Sequence, residues 1–298
     1  MGSAARWPNV YLVGAPRCGT GSLYSYLSAH PDIAVSRPKE PNYFATDLPD
    51  TRSVRDRDEY LALFAGAGEK KAVIDASIWQ LYSTAAARNL ATLPEAPKIL
   101  VQLRNPLTML PSVHAKHVAV GFEPITDFAT AYDAPRPRNP SDFRAALRYS
   151  EVARFGEQLD RYLELFDPDR IMVTIFDDFV ANPDNTYRAI LRFLEVDEIS
   201  LETYEHHNAS QPVGNPLLAR SAGTIRRVSQ DMKGGPVRKA MRKGAGLLDR
   251  LGGGTSGPTP LSDVLQSRII ADLADDVGRL SQQIGRELTW FQKATRAA

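Results

Sequence analysis

The chain has 298 residues, 43% of them hydrophobic, enough to bury a full core at the upper edge of what one domain holds. Its 36 basic and 35 acidic residues leave a net charge of +1, so no global field recruits nucleic acid or an anionic membrane, and any anion must be bound locally. A single cysteine, Cys18, excludes an intrachain disulfide framework and a cysteine-based zinc site; with no long apolar run and no basic-then-apolar leader, a soluble cytoplasmic protein is expected.

Residues 10–13 form a short apolar run with β character, and residues 22–29 carry a helical pattern, so the chain opens as strand, loop and helix until Pro31. Residues 33–35 are a second candidate strand, after which Pro38 and Pro41 force residues 37–44 into an extended, irregular loop. An amphipathic helix is expected over 58–64, a strand ending in the acid Asp75 over 72–75, and a further helix over 83–93. Residues 98–103 read as a buried-type strand closed by Arg104, Asn105 and Pro106, and residues 109–118 keep helical spacing with Pro111 near the start.

Residues 121–142, rich in Pro, Asp and aromatics, read as a long surface connection. One long helix is expected from Phe143 to Phe166, because Leu147, Phe155, Leu159 and Tyr162 recur at roughly 3.6-residue spacing. A strand over 171–176 and a helix over 184–194 follow. The stretch 210–260 is dense in Gly, Pro, Arg and Lys, which predicts a mobile flap with a basic segment at 233–250, and residues 262–291 return to a helical pattern. Strands alternating with helices predict a single α/β domain over 1–298, a parallel sheet of about four to six strands with crossover helices. The final helix offers a surface for a homo-oligomer.

Between the first strand and its helix lies Gly14-Ala15-Pro16-Arg17-Cys18-Gly19-Thr20-Gly21-Ser22. Glycines there let backbone N–H groups turn toward an anion, and the helix that follows points its positive end at the same place. Gly14 and Gly19 fit the pattern of a nucleoside-triphosphate loop, but Thr20 fills the lysine slot and the cation stands at Arg17 instead. A second cationic element, Arg104 followed eight residues later by Ser112, leaves another strand end, where ligands of open α/β sheets bind. The planar arginine fork and a hydroxyl suit a second phosphate, so the pair suggests a nucleotide phosphorylated at two places.

These residues resemble the sulfotransferases that use 3′-phosphoadenosine 5′-phosphosulfate (PAPS). The first loop looks like their 5′-phosphosulfate loop, and Arg104, Pro106 and Ser112 match their 3′-phosphate motif. Lys39-Glu40-Pro41-Asn42-Tyr43-Phe44 is similar to an element of the heparan-sulfate-type and related bacterial branch, and Asp75-Ala76-Ser77 is a weaker echo of its Glu-x-Ser-Pro segment, with Ile78 in the proline's place. The resemblance implies a P-loop-like sulfotransferase fold and a sulfuryl transfer from PAPS to a hydroxyl, less readily an amine, of a small-molecule, lipid or glycan acceptor, leaving adenosine 3′,5′-bisphosphate (PAP) without a metal. It also implies that Arg17 stabilises the leaving phosphate, that Cys18, Gly19, Thr20, Gly21 and Ser22 hold the 5′-phosphate, that Arg104 and Ser112 hold the 3′-phosphate, and that Glu40 is the base.

Two other readings share the loop: a P-loop kinase or NTPase, and a nucleotide-binding protein without catalysis. His114 and His117 lie three apart on one helix and offer an alternative base or a metal pair, but packing roles are expected because a third ligand is not evident in the sequence. Cys18 is expected to pack rather than to act as a nucleophile.

Overall fold

The computed structural model describes residues 6–120, 122–135, 147–201, 240–241, 243–244 and 260–292. The chain groups into two compact units, one of Met1–Asn105, Val152–Asn208 and Asp272–Ala298, the other of Pro106–Glu151 and Ala209–Ala271. The expected flap at 210–260 lies almost wholly outside the described residues, as does most of the basic segment 233–250.

The first unit is built on five strands: β1 (Val10–Gly14), β2 (Ile33–Val35), β3 (Ala72–Ala76), β4 (Lys98–Leu103) and β5 (Ile171–Ile175). Every pairing is parallel and the order is β2-β3-β1-β4-β5. β1 is central, and the chain leaves it toward β2 and β3 on one side while β4 lies on the other. That divergence opens a crevice at the carboxyl ends of β1 and β4.

Both faces of the sheet are covered, which is why its strands read as continuous apolar runs. Val10 and Leu12 of β1, Ile74 of β3 and Leu100 of β4 pack on Leu23, Tyr26 and Leu27 of α1 (Thr20–Ser28) and on Tyr187, Ile190 and Leu191 of the helix Pro183–Leu194. On the other face Tyr11 meets Phe44 edge-on at 5.5 Å, and Phe44 meets Tyr60 of α2 (Arg57–Ala62) at 5.7 Å. Each large side chain so buried contributes about 1.5–3 kcal/mol. In this unit α3 (Ala86–Ala91) is shorter than the expected 83–93.

The second unit contains α4 (Pro106–Ala119), which takes Pro111 in its first two turns, and α5 (Phe128–Asp133). α5 lies inside the stretch read from sequence as a bare connection. It forms because the Asp127 carboxylate accepts the Thr130 N–H at 2.8 Å and caps its start.

The single helix expected from Phe143 to Phe166 is two pieces where described, α6 (Tyr149–Val152) and α7 (Phe155–Leu163). The break has a physical cause in the first unit. The carboxylate of Asp276, on the long helix Asp263–Gln283, accepts N–H bonds from Gly156 at 2.9 Å and Glu157 at 2.8 Å, so the first turn of α7 is capped from a distant segment instead of continuing α6. Gly156 is required by the approach, since a Cβ there would sit 2.7 Å from the Asp276 carbonyl oxygen. The long helix stops at Gln283, short of the expected 291, and Gly285 follows at φ 63°. Another helix, Phe176–Ala181, starts directly at the end of β5, taking Phe176 from the strand expected over 171–176 and filling a stretch for which the sequence predicts no element. Among the described residues no helix is long and apolar enough to cross a membrane.

Asp276→Ala removes both capping bonds and is expected to cost about 1–2 kcal/mol in urea unfolding. An unchanged midpoint would show that α7 does not depend on the cap.

Candidate functional site

The loop from Gly14 to Ser22 runs from the end of β1 into α1, and β4 pins it at two points. The Ala15 N–H donates to the Gln102 carbonyl at 2.8 Å, and the Gln102 side-chain Nε2 donates to the Cys18 carbonyl at 2.7 Å. Gly19 caps α1 at φ 80° and ψ 7°, the left-handed region. Its position also needs the missing side chain: a Cβ would fall 2.6 Å from the Phe176 ring and 3.0 Å from Gln102 Nε2. Among the described residues no side chain caps the start of α1, and no acid occupies its first turn. Its positive end is therefore presented toward the crevice. Thr20 and Ser22 are buried there and Gly21 is half-buried.

Two arginines lie at the loop that leads into this helix. Arg17 takes φ 60°, and Arg104, just past β4, donates from Nη1 to the Arg17 carbonyl at 3.3 Å while its guanidinium lies 4.7 Å over the Phe176 ring. Burial pushes both below the ordinary arginine value, and Arg17 is lowered further by repulsion from Arg104. On Arg104 the Asp177 carboxylate acts the other way and favours the charged form.

Cys18 is fully buried, and desolvation pushes its thiol up to about 12, so at neutral pH it is an uncharged packing group. Ser112 is buried on α4, in the second unit. In that unit His114 Nε2 donates to the Ile125 carbonyl at 2.8 Å and its ring packs on Phe128 and Tyr149, while His117 packs on Phe122. Among the described residues no group of three or more His, Cys, Asp or Glu side chains is placed to hold a metal ion.

Glu40 and Lys39 sit in the proline-bounded loop after β2. Lys39 Nζ is 3.6 Å from Glu40 Oε1 and donates to the Thr20 carbonyl at 3.4 Å, tying the loop that carries Glu40 to the start of α1. Burial lowers the Lys39 pKa, and the Glu40 carboxylate acts in the opposite direction. Glu40 itself has φ 62° and is 36% exposed. Its N–H donates to the Ala76 carbonyl at 3.1 Å, so the turn is fastened to the end of β3.

Beside that attachment lies Asp75, with no solvent exposure. It accepts bonds from Tyr60 Oη at 2.7 Å, Ser77 Oγ at 2.5 Å and Gln80 Nε2 at 3.3 Å. Desolvation raises its pKa to about 6 against the opposing pull of those donors. Lys39 stands in the Lys39–Phe44 element of the sequence, whereas Gln102, Phe176 and Tyr60 carry no such signal. Lone residues of these types carry no motif, and only the fold brings them to the loop.

The model of the Sulfotransferase family matches residues 8–200, and the chain belongs to that family. It is 22% identical over 235 residues to human heparan sulfate glucosamine 3-O-sulfotransferase 6, covering 74% of this chain and 61% of that protein. It is 20% identical over 210 residues to the Caenorhabditis elegans bifunctional heparan sulfate N-deacetylase/N-sulfotransferase 1, covering 68% of this chain and 24% of that protein. The chain thus spans less than two thirds of either relative's length. The crystal structure of a sulfotransferase from Alicyclobacillus acidocaldarius superimposes with a TM-score of 0.70 at 26% identity, covering 96% of this chain and 99% of that one. The parallel five-stranded sheet is that of the P-loop-like sulfotransferase fold.

Gly19→Ala forces a methyl group into Phe176 at a φ that disfavours it, and the expected loss is about 2 kcal/mol or more, read as a lower calorimetric midpoint. A wild-type midpoint would contradict the packing described for the loop. Asp75 gives a pH signature of known sign. Its folded pKa lies above the unfolded value of 3.8, so the folded state binds the proton more tightly and stability falls as pH rises from about 4 to about 6, by roughly 3 kcal/mol for this group. Urea unfolding should show that fall in the wild type and a flatter profile in Asp75→Asn; parallel profiles would contradict it.

Proposed function

We propose that the protein transfers a sulfuryl group from PAPS to an acceptor hydroxyl, releasing PAP. The observation that carries this reading is the pairing of Arg17 and Arg104 at the open start of α1, with Lys39 linking that helix start to Glu40. The family membership and the matching motifs support it.

In the proposed reaction the acceptor oxygen forms a bond to sulfur as the bond from sulfur to the bridging oxygen breaks. The electron pair of the broken bond stays on that oxygen, now part of the 5′-phosphate of PAP, and the acceptor proton passes to Glu40. The backbone N–H groups of Gly19, Thr20, Gly21 and Ser22 hold the 5′-phosphate, and Cys18 shapes the loop behind them. Arg17 meets the charge that grows on the bridging oxygen, where donors set in advance cost no reorganisation during transfer. Lys39 stands between the phosphate loop and the base, where the sulfuryl oxygens must pass. Arg104 and Ser112 take the 3′-phosphate, as their spacing in the sequence suggests. No step requires a metal.

Thr20 in the lysine slot weighs against triphosphate chemistry. The relatives are named for sulfation of heparan sulfate at nitrogen and at a hydroxyl, which keeps a glycan within the proposed acceptor class beside phenols and lipids.

PAP without magnesium is expected to raise the thermal midpoint, whereas ATP with magnesium is not. Arg17→Ala and Arg104→Ala should each weaken PAP binding at least about tenfold in calorimetry, since hydrogen bonds to charged groups are worth about 1.5–3 kcal/mol. Glu40→Gln should leave PAP affinity within about twofold and cut turnover about 100-fold or more. Full turnover by Glu40→Gln would remove Glu40 as base, and PAP binding with no transfer to any acceptor in a broad hydroxyl panel would favour a non-catalytic nucleotide-binding protein.

A further inference from the structure

We propose that Asp75 is a positioning residue for the transfer step, holding the Glu40 turn through Ser77 and Asn42. The inference rests on Glu40 being the base. A carboxylate with no solvent exposure is costly, and among the described residues no cation forms an ion pair with Asp75. Its surroundings, which keep its pKa near 6, would stabilise the fold more if they enclosed an uncharged group. An acid kept there against that cost is doing something an uncharged residue does not.

A carboxylate only accepts, so the hydroxyls of Ser77 and Tyr60 are both compelled to donate to it. With its proton committed to Asp75, the Ser77 oxygen is left as an acceptor, and it takes the Asn42 N–H at 2.9 Å. Asn42, buried at φ 49°, donates its Nδ2 to the Glu40 carbonyl and to the Thr51 carbonyl, both at 3.1 Å. The Glu40 N–H meanwhile donates to the carbonyl of Ala76, the residue between Asp75 and Ser77. Glu40 and Asn42 both occupy the left-handed region, which side-chain-bearing residues adopt at a cost unless the surroundings enforce it. These bonds from the end of β3 enforce it. They keep the Glu40 carboxylate beside Lys39 and the phosphate loop. In Asp75→Asn the amide offers an acceptor on one side and a donor on the other, so Ser77 and Tyr60 are no longer both fixed as donors and the Asn42 bond loses its enforced direction.

The test uses the full chain with PAP bound and needs no identified acceptor for its first arm. Amide exchange at Glu40, which is not itself bonded to Ser77, should speed up about tenfold or more in Asp75→Asn and Ser77→Ala. Tyr60→Phe, which removes a bond to Asp75 but not the line to Asn42, should change it less than about threefold. Unchanged protection at Glu40 in Ser77→Ala and Asp75→Asn overturns the proposal, as does equal loss in all three variants. The second arm reads turnover of PAPS with the acceptor that the wild type uses fastest among phenols, sterols and monosaccharides. Asp75→Asn should lower kcat about tenfold or more with KM for PAPS unchanged, and should add nothing on a Glu40→Gln background. A multiplied loss on that background means that Asp75 acts independently of Glu40 and also overturns the proposal. Failure of the underlying reading looks different: Glu40→Gln alone would then retain full turnover while the exchange at residue 40 still responded to Ser77→Ala.

Discussion

Two partly buried guanidinium groups at the open end of a helix set the terms for everything around them. Arg17 and Arg104 each lose hydration, and Arg104 further disfavours the charge on Arg17. The fold holds them there by fixing the backbone around them, and the Asp177 carboxylate also favours the charge on Arg104. Gln102 takes the loop at Ala15 and at Cys18, Phe176 lies under Arg104, and Gly19 lets the chain pass between Phe176 and Gln102. A helix start beside cations is a general place for an anion.

The second half of the site is held by the opposite kind of charge. Asp75 is buried with hydroxyl and amide donors around it, and its bonds run outward through Ser77 to the turn that carries Glu40. Lys39 joins the two halves, bonded to Thr20 on one side and paired with Glu40 on the other. The loop with Arg17, Arg104 and the turn with Glu40 thus hang from neighbouring strand ends, β1 and β4 for the first two and β3 for the last. A parallel sheet with β1 in the middle brings those ends together.

Much of this was legible in the chain. The strand over 98–103 has the same bounds in the structure as in the sequence reading, because a buried parallel strand between a proline-rich stretch and Arg104-Asn105-Pro106 leaves little freedom for its ends. The strand, loop and helix around residues 10–28 were legible because a short apolar run, a glycine-rich turn and a helical pattern follow one another there. What failed depended on distant partners. Apolar spacing predicts one helix across 143–166, and nothing local shows that Asp276, more than a hundred residues on, caps a fresh start at Gly156. The acid Asp75 was visible, but the donors that surround it, Tyr60 and Ser77, come from a separate helix and from the segment after β3, with Asn42 in yet another loop.

The most direct measurement is a crystal structure of the protein with PAP. The account predicts the 5′-phosphate on the backbone amides of residues 19–22 with the Arg17 guanidinium against it, the 3′-phosphate on Arg104, and the Glu40 carboxylate facing the side of the 5′-phosphate from which the sulfuryl group departs. A nucleotide bound away from this loop, or one seated in it with Glu40 turned from the phosphate, would contradict it.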